Sequence, residues 1–319
     1  MPAETSSKGK YGLVCPLKRA RGIKMSSVKF KHRSVGSRCF DIVLYILLGL
    51  VVLVTFYPMY YVFIVSISSA NHISRGEVTL LPMGINFDAY KIVFKNSRIW
   101  VAYGNTILYT VVGTFINVMM TALCAYPFSR PDFYGRKFFT LFVTLTMFIG
   151  GGMIPLYLVV SKLHLMNTIW AIVLPGAVST YNMIVMRTSF QGLPASLTES
   201  AYIDGANDIH ILFRIVLPLS KAILATMTLF YAVGHWNSYL SAILYLDDQK
   251  KYPVQVILRD IVIAGEFMEN GGDVSSSATV IATNYKYAVI IVSVLPILMV
   301  YPFIQKYFTK GIMVGSIKG

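Results

Sequence analysis

Six stretches of this chain, about 41–66, 102–128, 138–160, 169–187, 222–246 and 287–305, hold no Asp, Glu, Lys or Arg between their boundary residues. A hydrocarbon core about 30 Å thick takes roughly 20 apolar helical residues to cross, and each stretch is near or beyond that length. Backbone N–H and C=O groups in lipid must be satisfied within the chain, so helices are the economical solution. A β-barrel would instead show alternating segments of about ten residues, and none occur. Only 13% of the 319 residues are charged and 55% are hydrophobic, whereas soluble domains run nearer a quarter charged. A cytosolic enzyme, a secreted disulfide scaffold and a disordered regulator are thereby excluded. The expected fold class is an all-α polytopic membrane protein with six transmembrane helices. Pro58, Pro127, Pro155, Pro175, Pro296 and Pro302 fall inside or near the ends of these spans, as kinked membrane helices tolerate.

Lys and Arg bias sets orientation. With the N-terminus cytoplasmic, 19 of the 28 basic residues lie inside, including ten between Lys8 and Arg38, then Arg130, Arg136, Lys137, Arg187, Arg214 and Lys221. An even number of spans returns the C-terminus to the cytoplasm. The organisation expected is a basic arm at 1–38, a six-helix transmembrane body at 39–305 with an inner loop at 188–221, and a Gly/Lys tail at 306–319. Topology and anionic-lipid attraction account for the basic arm, and nothing marks a nucleic-acid partner. Cys15, Cys39 and Cys124 are too scattered for a disulfide or zinc framework. No leader cleavage site precedes the first apolar run.

Outside the membrane, Asn86 is expected to cap a short interfacial helix. Residues 247–286, with six of the fourteen acids and the Gly271-Gly272 pair, are expected to form a mobile, hydrated loop. The inner loop is the informative one. Ser196 and Glu199 have the S-x-x-E spacing of a capping box, which predicts a helix from about Leu197 to Asp204. Gly205 then stands where a helix C-terminus favours a left-handed residue. Asn207 can cap a second helix whose Ile209, Leu212, Phe213 and Val216 would share a face.

Glu199-Ser200-Ala201, three residues, Gly205, nine residues and Ile215-Val216-Leu217-Pro218 resemble the E-A-A-x3-G-x9-I-x-L-P signature of ABC-importer permeases. Ser200 for the first alanine is the one departure, small for small. The Lys-Gly tail, Gln305 to Gly311 and Gly315 to Gly319, and Trp236-Asn237 resemble the MalG-like, carbohydrate-uptake branch, and within it the LplC/YtcP-type permeases of Gram-positive bacteria. The resemblance covers about residues 35–319. It implies a type I importer permease fold in a bacterial cell membrane and a coupling helix seated in a groove of an ATP-binding subunit. The coupling residues carried over are Glu199, Ser200, Ala201, Asp204, Gly205, Ala206, Leu217 and Pro218. Small side chains at Ser200, Ala201, Gly205 and Ala206 would allow close approach, and Glu199 either serves as a cap or also meets a basic partner residue.

The resemblance further implies two ATP-binding subunits, a second permease subunit that differs from this one, and a solute-binding protein at the outer face. No G-x-x-x-x-G-K-[ST] phosphate loop occurs, nor H-E-x-x-H or G-x-S-x-G, so the chain is expected to be no enzyme and to hold no cofactor. The resemblance implies that ATP-Mg is used by the partner subunits. Candidates for the substrate path are Asn105, Tyr109, Asn117, Asn182, Tyr231, His235, Trp236 and Asn237, polar or aromatic positions inside spans that suit a neutral polyhydroxylated ligand. The competing role for each is helix–helix glue or the interfacial aromatic belt. Gly150-Gly151-Gly152 with Pro155 is expected to break the third span. An ion-coupled secondary carrier is the other class, and an importer of a non-sugar solute the other reading within the family. Carriers usually place ionisable groups in the bilayer, and these spans lack them.

Overall fold

The structure, a computed structural model, describes residues 35–270, 284–300 and 302. The chain divides into two units, 1–55 and 56–319. In the first, the described residues form the opening turns of α1 (Val35–Ser66), whose apolar side chains from Phe40 to Val54 are largely exposed. Residues 1–34 of the expected basic arm and the whole expected Gly/Lys tail at 306–319 lie outside the described residues.

Every regular element among the described residues is helical. In the second unit, α2 (Ala70–Ser74) and α3 (Asp88–Lys95) precede the long α4 (Ser97–Ser129). Asn86 acts near the start of α3 as expected, its Oδ1 accepting from Asp88 N at 2.7 Å, although Phe87 occupies the cap position. Then follow α5 (Arg136–Leu145), α6 (Met153–Lys162), α7 (Ile169–Val173) and α8 (Thr180–Gln191). Next come α9 (Ala195–Ile203), α10 (Asp208–Ile211), a π-turn at Leu212–Val216 and α11 (Leu217–Leu219). The chain continues through α12 (Lys221–Trp236), α13 (Leu240–Tyr245), a 3-10 turn at Gln249–Lys251, α14 (Val254–Asn270) and α15 (Asn284–Val300).

Among the described residues two helices, Phe40–Ser66 and Ser97–Ser129, are long and apolar enough to cross a membrane, and a third counts if Asp208–Leu219 and Lys221–Trp236 form one bent span. Three of the six expected spans are interrupted. The third breaks between α5 and α6 at the glycine run, where Gly152 has φ +81°. The fourth breaks at Pro175-Gly176 between α7 and α8, because proline removes a donor and clashes with the preceding turn. The fifth breaks at Asn237-Ser238-Tyr239 between α12 and α13. The loop expected at 247–286 holds the helix α14, whose Val254 and Val256 are buried; residues 271–283 lie outside the described ones.

α4 is the axis of this unit, with α8 and α12 packed along it most extensively. Its buried positions Ala102, Thr106, Gly113, Thr114, Asn117, Thr121, Ala122 and Ala125 recur at helical spacing and are mostly small. Small interfaces let helix backbones approach closely, which is how membrane helices gain van der Waals contact. The approach is tightest at Gly113, where an added Cβ would lie 2.5 Å from Nε2 of His235 on α12. The largest hydrophobic cluster joins Ala122 and Tyr126 of α4, Met183 and Met186 of α8, Ala201 of α9, Ile211, Leu212 and Val216, and Met227 and Tyr231 of α12. The core therefore sits where the 195–216 segment meets the long helices.

Candidate functional site

α9 begins at Ala195 with Pro194 in the cap position and no side-chain cap. The expected capping box is not formed: Ser196 lies within the first turn, and its carbonyl accepts from Ser200 Oγ at 2.6 Å. Pro194 starts the helix instead. Its ring fixes φ and it has no N–H to leave unsatisfied.

The far end of α9 is as the sequence predicts. Gly205 adopts φ +79°, Gly205 N donates to Tyr202 O at 3.0 Å and Ala206 N to Ala201 O at 2.9 Å. This pair of bonds is the Schellman arrangement that satisfies the last carbonyls of a helix. Asn207 caps α10 as expected, its Oδ1 accepting from His210 N at 2.8 Å.

The apolar face predicted beyond it is rearranged. Ile211, Leu212 and Val216 are buried, whereas Ile209 and Phe213 are exposed. Ile209 and Ile211 lie in α10, and a π-turn at Leu212–Val216 follows them. After it the chain bends by 87° at Ser220 into α12. Pro218, which cannot donate a backbone bond, stands just before the bend.

Among the motif residues, Glu199, Ser200, Asp204, Gly205 and Pro218 are exposed, Ala206 and Leu217 half-buried and Ala201 buried. Ala201 turns into the core cluster, so its small size serves packing within this chain. The tip carries exposed apolar side chains: Ile203, which sequence reasoning did not single out, is 86% exposed, and Ile209, expected on the inward face of its helix, is 67% exposed.

A hydrogen-bonded clamp ties this tip to α4. Tyr126 OH donates to Asp208 Oδ1 at 3.0 Å and Tyr202 OH to the same oxygen at 2.6 Å. Arg130 Nη2 donates to Tyr126 OH at 2.9 Å, with its guanidinium 4.6 Å from the Tyr126 ring centroid. The bond to the Asp208 carboxylate, and secondarily burial, push the Tyr202 phenol far above its ordinary pKa. No local pattern signals the clamp, since 82 residues separate Tyr126 from Asp208.

A cavity of about 1000 Å³ opens among α6, α7, α12 and α13. It gathers four of the candidate path residues, Asn117, Tyr231, His235 and Asn237, and adds Ser238 and Tyr239. Asn117 Nδ2 donates to Gly176 O at 3.0 Å and lies 3.3 Å from His235 Nε2. Tyr231 OH accepts from Ser179 N at 3.0 Å and pairs with Thr121 Oγ1 at 2.6 Å. Asn117 Oδ1 is buried without a partner.

The other candidates lie elsewhere. Asn105 Nδ2 donates to Lys250 O at 2.7 Å and Tyr109 OH to Lys251 O at 2.8 Å, so both brace the 3-10 turn. Asn182 is buried in the first turn of α8. Trp236 is half-buried, its ring 6.4 Å from that of Tyr103. No group of His, Cys, Asp or Glu among the described residues is placed to hold a metal.

A family profile described as the binding-protein-dependent transport system inner membrane component matches residues 22–314. The chain is 42% identical over 286 residues to the polygalacturonan/rhamnogalacturonan transport system permease protein YtcP of Bacillus subtilis, covering 89% of this chain and 99% of that one. It is 39% identical to the protein LplC of Bacillus subtilis, covering 92% of this chain and all of the relative. A solved structure of a bacterial ABC transporter involved in the import of the acidic polysaccharide alginate contains a chain 36% identical to this one. The two superpose with a TM-score of 0.79, over 87% of this chain and 99% of that one.

Proposed function

This chain belongs to the family of binding-protein-dependent transport system inner membrane components, and from that premise we propose that it carries a sugar or oligosaccharide across a bacterial cell membrane as one permease subunit of an ATP-driven importer. Relatives named for polygalacturonan and alginate support oligomers of acidic polysaccharides as the first substrates to try. The chain works with two ATP-binding subunits, a second and different permease and an outer solute-binding protein. Six spans with both termini cytoplasmic fit the broken helices: α5 with α6, α7 with α8, and α12 with α13 each supply one span, beside α1, α4 and α15. Hydrolysis of ATP belongs to the partner subunits.

One observation carries the mechanism, the clamp at Asp208. The exposed tip, from Glu199 through Ile203 to Gly205, docks in a groove of the ATP-binding subunit. Movement of that subunit then pulls on Asp208 and, through Tyr126, on α4; the π-turn and the 87° bend lead the same pull into α12. Because α4 and α12 border the cavity through Asn117, Tyr231 and His235, their displacement changes its access. The test is uptake by vesicles containing the reconstituted complex, supplied with the binding protein and labelled oligogalacturonate or a neutral oligosaccharide. ATP-dependent accumulation of either supports the reading. Accumulation driven by an ion gradient without ATP would overturn it.

A further inference from the structure

A separate cleft of about 860 Å³ opens beside the start of α5 and is lined by Arg136, Lys137 and Arg187 with Thr140 and Phe138. Arg136 and Lys137 stand in the first turn of α5 and Arg187 in the later half of α8. Two distant parts of the chain thus converge their cations. Arg136 and Arg187 lie close enough for their like charges to oppose each other.

No acid offsets them. Among the described residues no acid forms an ion pair with Arg136, Lys137 or Arg187, and Asp132, in the same connection, is exposed and pairs with none of them. Arg187 Nε and Thr140 Oγ1 are both buried without a hydrogen-bond partner. Buried cationic and polar groups left unpaired are unfavourable, so the cleft gains most from an anion that accepts several hydrogen bonds. Arginine forks suit phosphate in particular.

The opposite wall distinguishes a lipid from a free ion. α5 passes from Arg136-Lys137 straight into Phe138, Phe139, Thr140, Leu141 and Phe142, and Phe138, Leu141 and Phe142 are more than 60% exposed. Charged residues followed at once by outward apolar ones mark a membrane–water boundary. An inorganic anion would leave that wall bare, whereas an amphiphile covers both parts.

We propose that this cleft binds the phosphate headgroup of an anionic phospholipid, with Arg187 Nε and Thr140 Oγ1 donating to its oxygens and Phe138 and Leu141 flanking the acyl chain. The site is distinct from the cavity and the Asp208 clamp, and it holds whichever solute is carried.

The assembled transporter, incubated in mixed micelles of phosphatidylglycerol and phosphatidylcholine, tests the site by native mass spectrometry of retained lipid. Phosphatidylglycerol should be retained at least about fivefold over phosphatidylcholine, roughly the preference one basic contact gives. Arg136→Gln/Arg187→Gln should erase the preference, while Lys221→Gln, on an exposed residue outside the cleft, should keep it. If the double variant does not assemble, salt decides on the unaltered complex, because a charge-held lipid is released as ionic strength rises and phosphatidylcholine is not. Equal retention of the two lipids, a preference that survives the double variant or one insensitive to salt overturns the proposal. So does saturation of the same arginines by inorganic phosphate or by oligogalacturonate in place of lipid.

Discussion

Tyr126 in the last turn of α4 and Asp208 at the start of α10 are joined by a 3.0 Å hydrogen bond, phenol to carboxylate. The same Asp208 oxygen accepts from Tyr202 on α9. One carboxylate therefore couples a membrane-length helix to both arms of the exposed tip.

Asp208→Asn keeps the shape of the side chain but removes the charge that strengthens both bonds. Uptake by the reconstituted complex should fall about fivefold or more, the usual scale of a coupling energy, with assembly intact. In the parent protein Tyr202 stays protonated well above the ordinary phenol pKa of about 10 because of Asp208. Its contribution to stability is thus complete below that value and lost only as pH rises through the raised one. Spectroscopic titration of phenolate should show one tyrosine ionising at lower pH in the variant; an unchanged titration contradicts the clamp.

Gly205 has φ +79° and no atom within 4 Å of a built Cβ. Substitution there is opposed by backbone conformation and not by crowding. Gly205→Val should cost about 1–2 kcal/mol and lower uptake more than it lowers assembly, whereas Gly205→Asn, a residue that tolerates this region, should be milder. Thermal unfolding and uptake measured side by side would separate the two effects, and equal behaviour of Val and Asn would rule the explanation out.

Gly113→Ala places a methyl 2.5 Å from His235 Nε2. Overpacking of this kind costs about 1–3 kcal/mol, so the melting temperature of the complex should drop. His235→Ala should recover part of the loss in the double variant, since the clash needs both side chains. Strict additivity in that cycle would place the strain elsewhere.

Ile203 is 86% exposed, so Ile203→Glu should leave the fold within about 0.5 kcal/mol of the parent, as surface changes do. The docking proposed for the tip predicts instead a loss of co-purification with the ATP-binding subunits. Retained co-purification, with uptake unaffected, would remove Ile203 from the contact.

Asn105 and Tyr109 hydrogen-bond to the backbone of residues 250–252, whereas Asn117 borders the cavity with a free Oδ1. Asn117→Ala should alter the concentration dependence of uptake, and Asn105→Ala should chiefly lower thermal stability. Interchanged outcomes would move the path from the cavity to the outer turn.

Much of the local structure is legible in the sequence. Charge-free stretches announced helices, because the other backbone that satisfies itself in lipid, a closed barrel, would alternate in polarity. Gly205 and Asn207 announced a turn between two short helices through local backbone and side-chain chemistry, and both stand in those roles. The family was legible in the spacing from Glu199 to Pro218. The capping box does not form, although Ser196 and Glu199 have its spacing, because Pro194 begins the helix before Ser196 can cap it.

Chemistry confined to a few neighbouring residues, such as a left-handed glycine, an Asn cap or an uncharged apolar run, was thus decided by the chain order itself. Contacts between distant parts awaited the packed molecule. The Tyr126–Asp208 bond, the fit of Gly113 against His235 and the meeting of Arg136 with Arg187 depend on how α4, α5, α8 and α12 lie against one another. Ile211 and Leu212 face inward while Ile209 and Phe213 face outward. Hydropathy does not encode that choice among four apolar residues, because it arises from the geometry of the surrounding helices and not from the polarity of the residues themselves.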